Sequence, residues 1–336
     1  MSYKTIPFSE IVESSQTKAF FQNLLTATWL RPERALMDAY MLSVFNYFIE
    51  IKEGQRTLDW GCTDGSLSFV LLGGEFNFSY DDYVEVEWQK KSTEISAGIN
   101  IDFFDVQKEL LINPVAKPAA RNFSHGVSWK ESHISKASRF NIHASLLSQG
   151  FEEKIPYPED YFNSVLASNL FWIEPKSLLR KVISDIVSVT VQGGKILSIF
   201  PKKDAPEPLS HQLKGADENW IKKLDRGIGA NLLQNAISLE EANELFGACG
   251  LKIKSVVEFC PSLISTVYQI GFRPMFPVFM NMYEKVKMAS PEKFIELKKH
   301  WIDTVSDFML PLCENDWMVK MKMPYTWYFF ELEKAG

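Results

Sequence analysis

Residues 57–69 read TLDWGCTDGSLSF. An apolar approach leads to Asp59, then Gly61 and Gly65 stand four apart, and a helical pattern follows. This spells a short strand at 56–60, a tight turn, and a helix through about Leu72. Small residues at such a turn let backbone N–H groups approach an anionic or ribose-bearing ligand, with a helix start behind them. The same glycines also suit a turn that binds nothing, because they supply backbone geometry in either case.

Elements alternate on both sides of the turn. Residues 17–50 carry apolar side chains at helical spacing, and Pro32 suits a first helical turn, so two helices meet near residues 30–32. Downstream, 123–128 reads as a strand, 130–138 as a short helix, 140–143 as a strand, and 161–173 as a strand running into a loop. The amphipathic KSLLRKVISDIVSVTV (176–191) predicts a helix, with Gly193 and Gly194 turning the chain into the strand KILSIFP. In SLEEANELFGACG, Ser238 and Glu241 form a capping box and Gly250 ends the helix. A strand follows at 251–259, then a mostly helical stretch at 262–318, and YTWYFFELEK (325–334) reads as a final strand. Strands alternating with helices predict a mostly parallel sheet, whose ligands sit at the carboxyl ends of its strands.

Composition narrows the function. The 336 residues are 46% hydrophobic and 23% charged, a globular composition, with net charge −6. With no long basic stripe, an electrostatic nucleic-acid binder is not expected. No uncharged apolar run approaches the roughly 20 residues of a membrane span. Cys62, Cys249, Cys260 and Cys313 form no CxxC pair, which predicts reduced thiols and a cytoplasmic protein. The cluster Asp81, Asp82, Glu85, Glu87 reads as a solvated face, and no metal is expected.

The order of these pieces resembles the class I S-adenosylmethionine-dependent methyltransferases. LDWGCTDGSLSF is similar to their first motif, IPYPEDYFNSVLASNLFWI (155–173) to their fourth-strand motif, VTVQGGKILSIF to the helix-to-fifth-strand turn, and 238–259 to the next helix and strand. The resemblance covers most of 55–259 and the tail. It implies a doubly wound three-layer α/β fold, a seven-stranded Rossmann-like sheet with an antiparallel last strand. The expected organisation is an N-terminal helical region at 1–54, a core at 55–261 with an insertion at about 75–121, a helical cap at 262–318, and the closing strand at 319–336. Within the family, the chain looks like decorated type 11 enzymes of small-molecule or saccharide pathways.

The resemblance implies S-adenosylmethionine as cofactor, held by Asp59, Gly61, Cys62, Thr63 and Gly65. Two family carboxylates are absent. The second strand ends at Ser128 where the family carries an acid for the ribose hydroxyls, with Asp102 in GINIDFF as a competing register. The third strand offers His143, followed by Ala144, where the family carries an Asp beside the adenine. Trp129 either flanks the adenine or lies on the surface. Asn169 and Leu170 follow the fourth strand near the methyl group. Trp172 serves either the acceptor or the core. Tyr268 and Arg273 lie in the cap, facing substrate or forming structural contacts. His211, in the loop after the fifth strand, is the candidate base. Expected, then, is methyl transfer to a small molecule or saccharide, or else a degenerate relative that binds a ligand or partner. A nicotinamide enzyme is disfavoured, since G-x-G-x-x-G is absent.

Overall fold

The computed structural model describes residues 3–83, 113–205, 215, 217–220, 235–272 and 275–336. His211, Arg273, Glu85, Glu87 and Asp102 lie outside the described residues, as does most of the expected insertion.

The main sheet is built from β1 (Lys4–Thr5), β2 (Thr57–Trp60), β5 (Phe123–Ser128), β6 (His143–Ser148), β7 (Phe162–Ala167), β8 (Thr190–Pro201), β9 (Leu251–Pro261) and β10 (Tyr325–Lys334). Its order is β1-β9-β10-β8-β7-β2-β5-β6, while β3 (Glu75–Phe76) and β4 (Val115–Lys117) pair separately. Strand β10 runs antiparallel to both β8 and β9, and the other pairings in this sheet are parallel. Leaving out β1, the seven core strands stand in the order 6-7-5-4-1-2-3 along the sheet. This is the Rossmann-like methyltransferase arrangement, with β1 added beside β9 as an eighth strand that the sequence did not announce.

The chain leaves β2 for β5 and β6, then returns across β2 to β7. The border of β2 and β7 is therefore the switch point, where ligands of open parallel sheets bind.

Helix Pro32–Phe48 closes over this region. Glycine-free and apolar on nearly every side, it is buried almost all round, as such a helix must be. Between Pro32 and Phe45 every residue but Arg34 and Asp38 is buried. Phe45 and Phe48 pack on Phe329 of β10, with ring centroids 5.6 and 4.4 Å away.

The stretch between β9 and β10 is helical, over Ser262–Ile270, Phe276–Ala289, Pro291–Met309 and Asn315–Lys320. A second apolar cluster joins it to the core, with Trp29 and Tyr83 meeting Met280, Tyr283 and Phe294. Asp81 lies beneath this cluster and is 1% exposed, so it does not belong to a solvated face. Burial pushes its carboxyl up, opposed by Lys298 and Lys287.

Two local readings change. The third strand begins where it was expected to end. Residues 138–140 form a 3-10 turn closed by Asn141 at φ 52°, and the strand is His143–Ser148. Gly193 and Gly194 fall within β8 rather than before it.

Candidate functional site

The first turn is wound from residues with left-handed backbone: Gly61 at φ 74°, Thr63 at 50° and Gly65 at 79°. A side chain at Gly65 would meet the Ala137 backbone at 3.0 Å, so helix Glu131–Ala137 can lie against the turn only with glycine there. Much of the turn's donor capacity is spent internally. Gly61 and Cys62 N–H both donate to Val127 O, at 2.8 and 3.0 Å, and Gly65 N–H donates to Cys62 O at 2.9 Å. Ser66 N–H is held by Asp64 Oδ1 at 3.0 Å. Asn169 Nδ2 donates to Gly61 O at 2.7 Å, tying the loop after β7 to the turn.

A cavity of about 310 Å³ opens at the switch point. Thr63 and Asp64 of the turn, Trp129, Asn169, Trp172 and Tyr268 line it. Its roof includes Arg31, Arg34 and Asp38 from the start of helix Pro32–Phe48, and His133 and Lys136 stand on another wall. The volume lies at the lower end of the range for small-molecule sites. Burial pushes the Asp38 carboxyl up to about 6, against the pull of Arg34. The Arg34 Nε to Asp38 Oδ2 distance is 3.4 Å. Burial, with Asp38 nearby, pushes the Tyr268 hydroxyl up to about 12.

Beyond Trp129 the site narrows. A cleft of about 10 Å³ between Trp60, Ser128, Trp129, Gln149 and Phe151 has room for about one water. Ser128 is 1% exposed, and its hydroxyl is engaged with His133 Nδ1 at 2.8 Å. The Trp129 and Phe151 rings touch, at 4.8 Å between centroids. A flat base between them needs roughly 7 Å, two carbon contacts deep.

Five of the expected residues meet in the large cavity: Thr63, Trp129, Asn169, Trp172 and Tyr268. Gly61, Ser128 and again Trp129 line the narrow cleft. Leu170 and Cys62 are buried, and burial, reinforced by Asp59, holds the Cys62 thiol well above its usual range. Asp59 is wholly buried and accepts hydrogen bonds from Ser68 Oγ at 2.5 Å and from His143 Nε2 at 2.9 Å. His143 starts β6, opposite Phe123, and Ala144 follows it. Both therefore lie at the amino end of the strand. The residues at its carboxyl end are Ser148 and, beyond it, Gln149.

Ligand atoms of Asp59, Cys62 and His143 lie within 4.8 Å of one another. Asp59 and His143 are bonded to each other through Oδ2 and Nε2, while the Cys62 thiol lies against the Thr63 carbonyl.

Sequence reasoning missed Arg31, Arg34, Asp38, His133 and Lys136. The available signal was Arg34 and Asp38 at i,i+4 spacing in an otherwise apolar helix.

The sheet order and the cavity at its switch point define a methyltransferase-fold protein with one small-molecule-sized site over the first turn. No family model matches the chain, and no curated protein matches it. Among solved structures it is similar to the [4+2]-cyclase SpnF, at 13% identity and TM-score 0.43, covering 92% of this chain and 83% of that one. It is also similar to a putative sarcosine dimethylglycine methyltransferase from Galdieria sulphuraria, at 13% identity and TM-score 0.41, covering 91% and 84%. An S-adenosylmethionine-dependent methyltransferase from Mesorhizobium loti matches at 11% identity and TM-score 0.41, covering 86% and 95%. At this level of similarity the fold rests on the strand order itself.

The residues present fit an S-adenosylmethionine-like ligand only in part. The turn and the large cavity accommodate an amino-acid or acceptor moiety. At the end of β5, Ser128 offers a ribose no carboxylate, and the Trp129 and Phe151 rings are in contact, so a base between them requires those side chains to part.

Proposed function

We propose that the chain is an S-adenosylmethionine-dependent methyltransferase acting on a small-molecule or saccharide acceptor. One observation carries this. The cavity at the β2–β7 switch point joins the first turn, through Thr63 and Asp64, to the loop after β7, through Asn169 and Trp172. A sulfonium cofactor supplies an already electrophilic methyl, so the protein's task is alignment and exclusion of water. The aromatic walls and the roof helix suit that task. The expected cap at 262–318 contributes Tyr268 to the cavity. Net charge −6 argues against a nucleic-acid substrate. The four free, buried thiols support a cytoplasmic setting. Among the described residues, no helix is long and apolar enough to cross a membrane.

The closed slot beside Ser128 favours a second reading, a degenerate relative that keeps the cavity as a ligand-binding module. Calorimetric titration with S-adenosylmethionine and S-adenosylhomocysteine separates the two. Micromolar binding that weakens in Thr63→Pro, a change aimed at the left-handed turn, supports the enzyme. Absence of binding by both ligands sinks it and leaves the binding module.

A further inference from the structure

The large cavity combines aromatic rings with carboxyl groups. Phe171 stands 5.0 Å from Trp172 and 5.0 Å from Trp327, centroid to centroid. All three line the cavity, together with Trp129 and Tyr268. The face of an aromatic ring is electronegative and attracts a cation. The loop after β7 supplies Phe171 and Trp172, and β10 supplies Trp327, so this wall is fixed to the sheet.

Two carboxyl groups line the same space. Asp38 of the roof helix keeps 16% of its side chain exposed, with Arg34 at 3.4 Å. Asp64 of the first turn is half-buried and spends one oxygen on Ser66 N–H. It forms no ion pair among the described residues. Asp82 lies close to Asp64, and Asp38, Asp64 and Asp82 all act on one guanidinium, that of Arg34. Arg31 is paired with Glu33, and Lys136 acts on Asp82. Counting histidine as neutral, these groups leave one negative charge in excess. Burial and the Asp64 charge push the Asp82 carboxyl up to about 7. A proton thus relieves a cluster that is short of positive charge.

We propose that the cavity takes an acceptor bearing a protonated amine, held by the carboxylates of Asp38 and Asp64 and by the faces of the aromatic rings. The inference rests on the cavity being the acceptor site and deepens it by naming the acceptor's chemistry. An ammonium brings N–H donors for the carboxylates and a positive charge for the rings. A neutral alcohol lacks the charge, and an acid carries the wrong one.

The test uses the full chain and tryptophan fluorescence, since Trp129, Trp172 and Trp327 line the cavity. The probes are benzylamine, benzyl alcohol and benzoate, which share a ring and differ in charge. Each is titrated with and without saturating S-adenosylhomocysteine. The expected result is binding of benzylamine in both conditions, with the alcohol weaker by about tenfold or more and benzoate weaker still. Asp64→Asn keeps an oxygen for Ser66 N–H and removes the charge. Asp64→Asn and Asp38→Asn are each expected to cost benzylamine about fivefold and to leave the alcohol unchanged. If a variant does not fold, the comparison of the three probes on the unaltered chain decides.

Equal binding of amine and alcohol, tighter binding of benzoate, or binding of none overturns the proposal. So does displacement of benzylamine by S-adenosylhomocysteine, because the carboxylates then hold the cofactor's own amino group. Binding of S-adenosylhomocysteine without benzylamine keeps the methyltransferase reading and removes this one. The reverse pattern removes the methyltransferase reading and keeps the amine site.

Discussion

Asp59 and His143 meet across Gly126. Their strands flank β5, and the imidazole Nε2 reaches Asp59 Oδ2 at 2.9 Å over the glycine's bare Cα. A Cβ at residue 126 would stand 2.7 Å from His143 Cδ2 and 2.9 Å from Nε2. The first-motif aspartate is thus held inside the sheet by a side chain two strands away. Replacing His143 by Ala leaves a buried carboxylate with only Ser68 as donor, at a cost of roughly 3–5 kcal/mol. Gly126→Ala forces the imidazole aside, at roughly 1–3 kcal/mol. Urea unfolding measures both. The double variant should lose less than the sum, because both changes break one contact. Strict additivity would remove the coupling.

Ser128 limits what the second strand offers a ribose. Its one hydroxyl is already engaged with His133. Ser128→Asp supplies a carboxylate able to accept from two hydroxyls, and an affinity for S-adenosylhomocysteine about tenfold higher is the expected outcome. Calorimetry on the folded variant reads this directly. Unchanged affinity would mean that the Trp129–Phe151 contact, not the missing carboxylate, sets the limit.

The sheet was legible because its strands are separated by readable punctuation. Ser238 and Glu241 form the capping box read from the sequence, with bonds of 3.0 and 3.1 Å in the two directions. The final strand spans Tyr325–Lys334, as its alternating and aromatic residues suggested. The third strand was misplaced because His143–Ser148 contains no β-branched residue, while 138–140 carries no glycine to mark its turn. That slip moved His143 to the wrong end of the strand and hid its pairing with Asp59. The roof of the cavity escaped for another reason. Arg31, Arg34 and Asp38 sit at the start of an apolar helix, and only tertiary packing selects which side of such a helix stays open.

The Asp38 carboxyl gives the cavity a pH dependence. Burial holds it up at about 6, with Arg34, Arg31 and Asp64 as its charged neighbours and Tyr268 across the cavity. Below that value it is neutral and the lining is more positive. As pH rises through about 6, Asp38 gains a negative charge, and binding of an ammonium beside it strengthens, by about fivefold for a contact near 4 Å in water. Asp38→Asn should flatten this profile and hold amines more weakly above the transition. An amine profile that is flat in the unaltered chain would separate Asp38 from the bound group.

Lys298 pins the helices after β9 to the core. Its side chain is wholly buried, and Nζ donates to Phe78 O at 2.8 Å and Tyr80 O at 2.6 Å. Burial pulls its pKa down to about 8 from an ordinary 10.5, against the opposing pull of Asp81 and Asp82 and with help from Lys287. The folded chain therefore sheds this proton before the unfolded chain does. Between about 8 and 10.5 the unfolded state binds more protons, so this group's contribution to stability grows as pH rises and is lost as pH falls through about 8. Buried tyrosines act oppositely: Tyr40 and Tyr283 are pushed up by burial and lose stability as pH rises through the ordinary tyrosine value of about 10. Comparison with Lys298→Met cancels that background. The stability difference, unaltered chain minus variant, should widen in favour of the unaltered chain from about pH 7.5 to about pH 9.5. A difference that stays level across that interval would mean that Lys298 keeps an ordinary pKa in the folded protein.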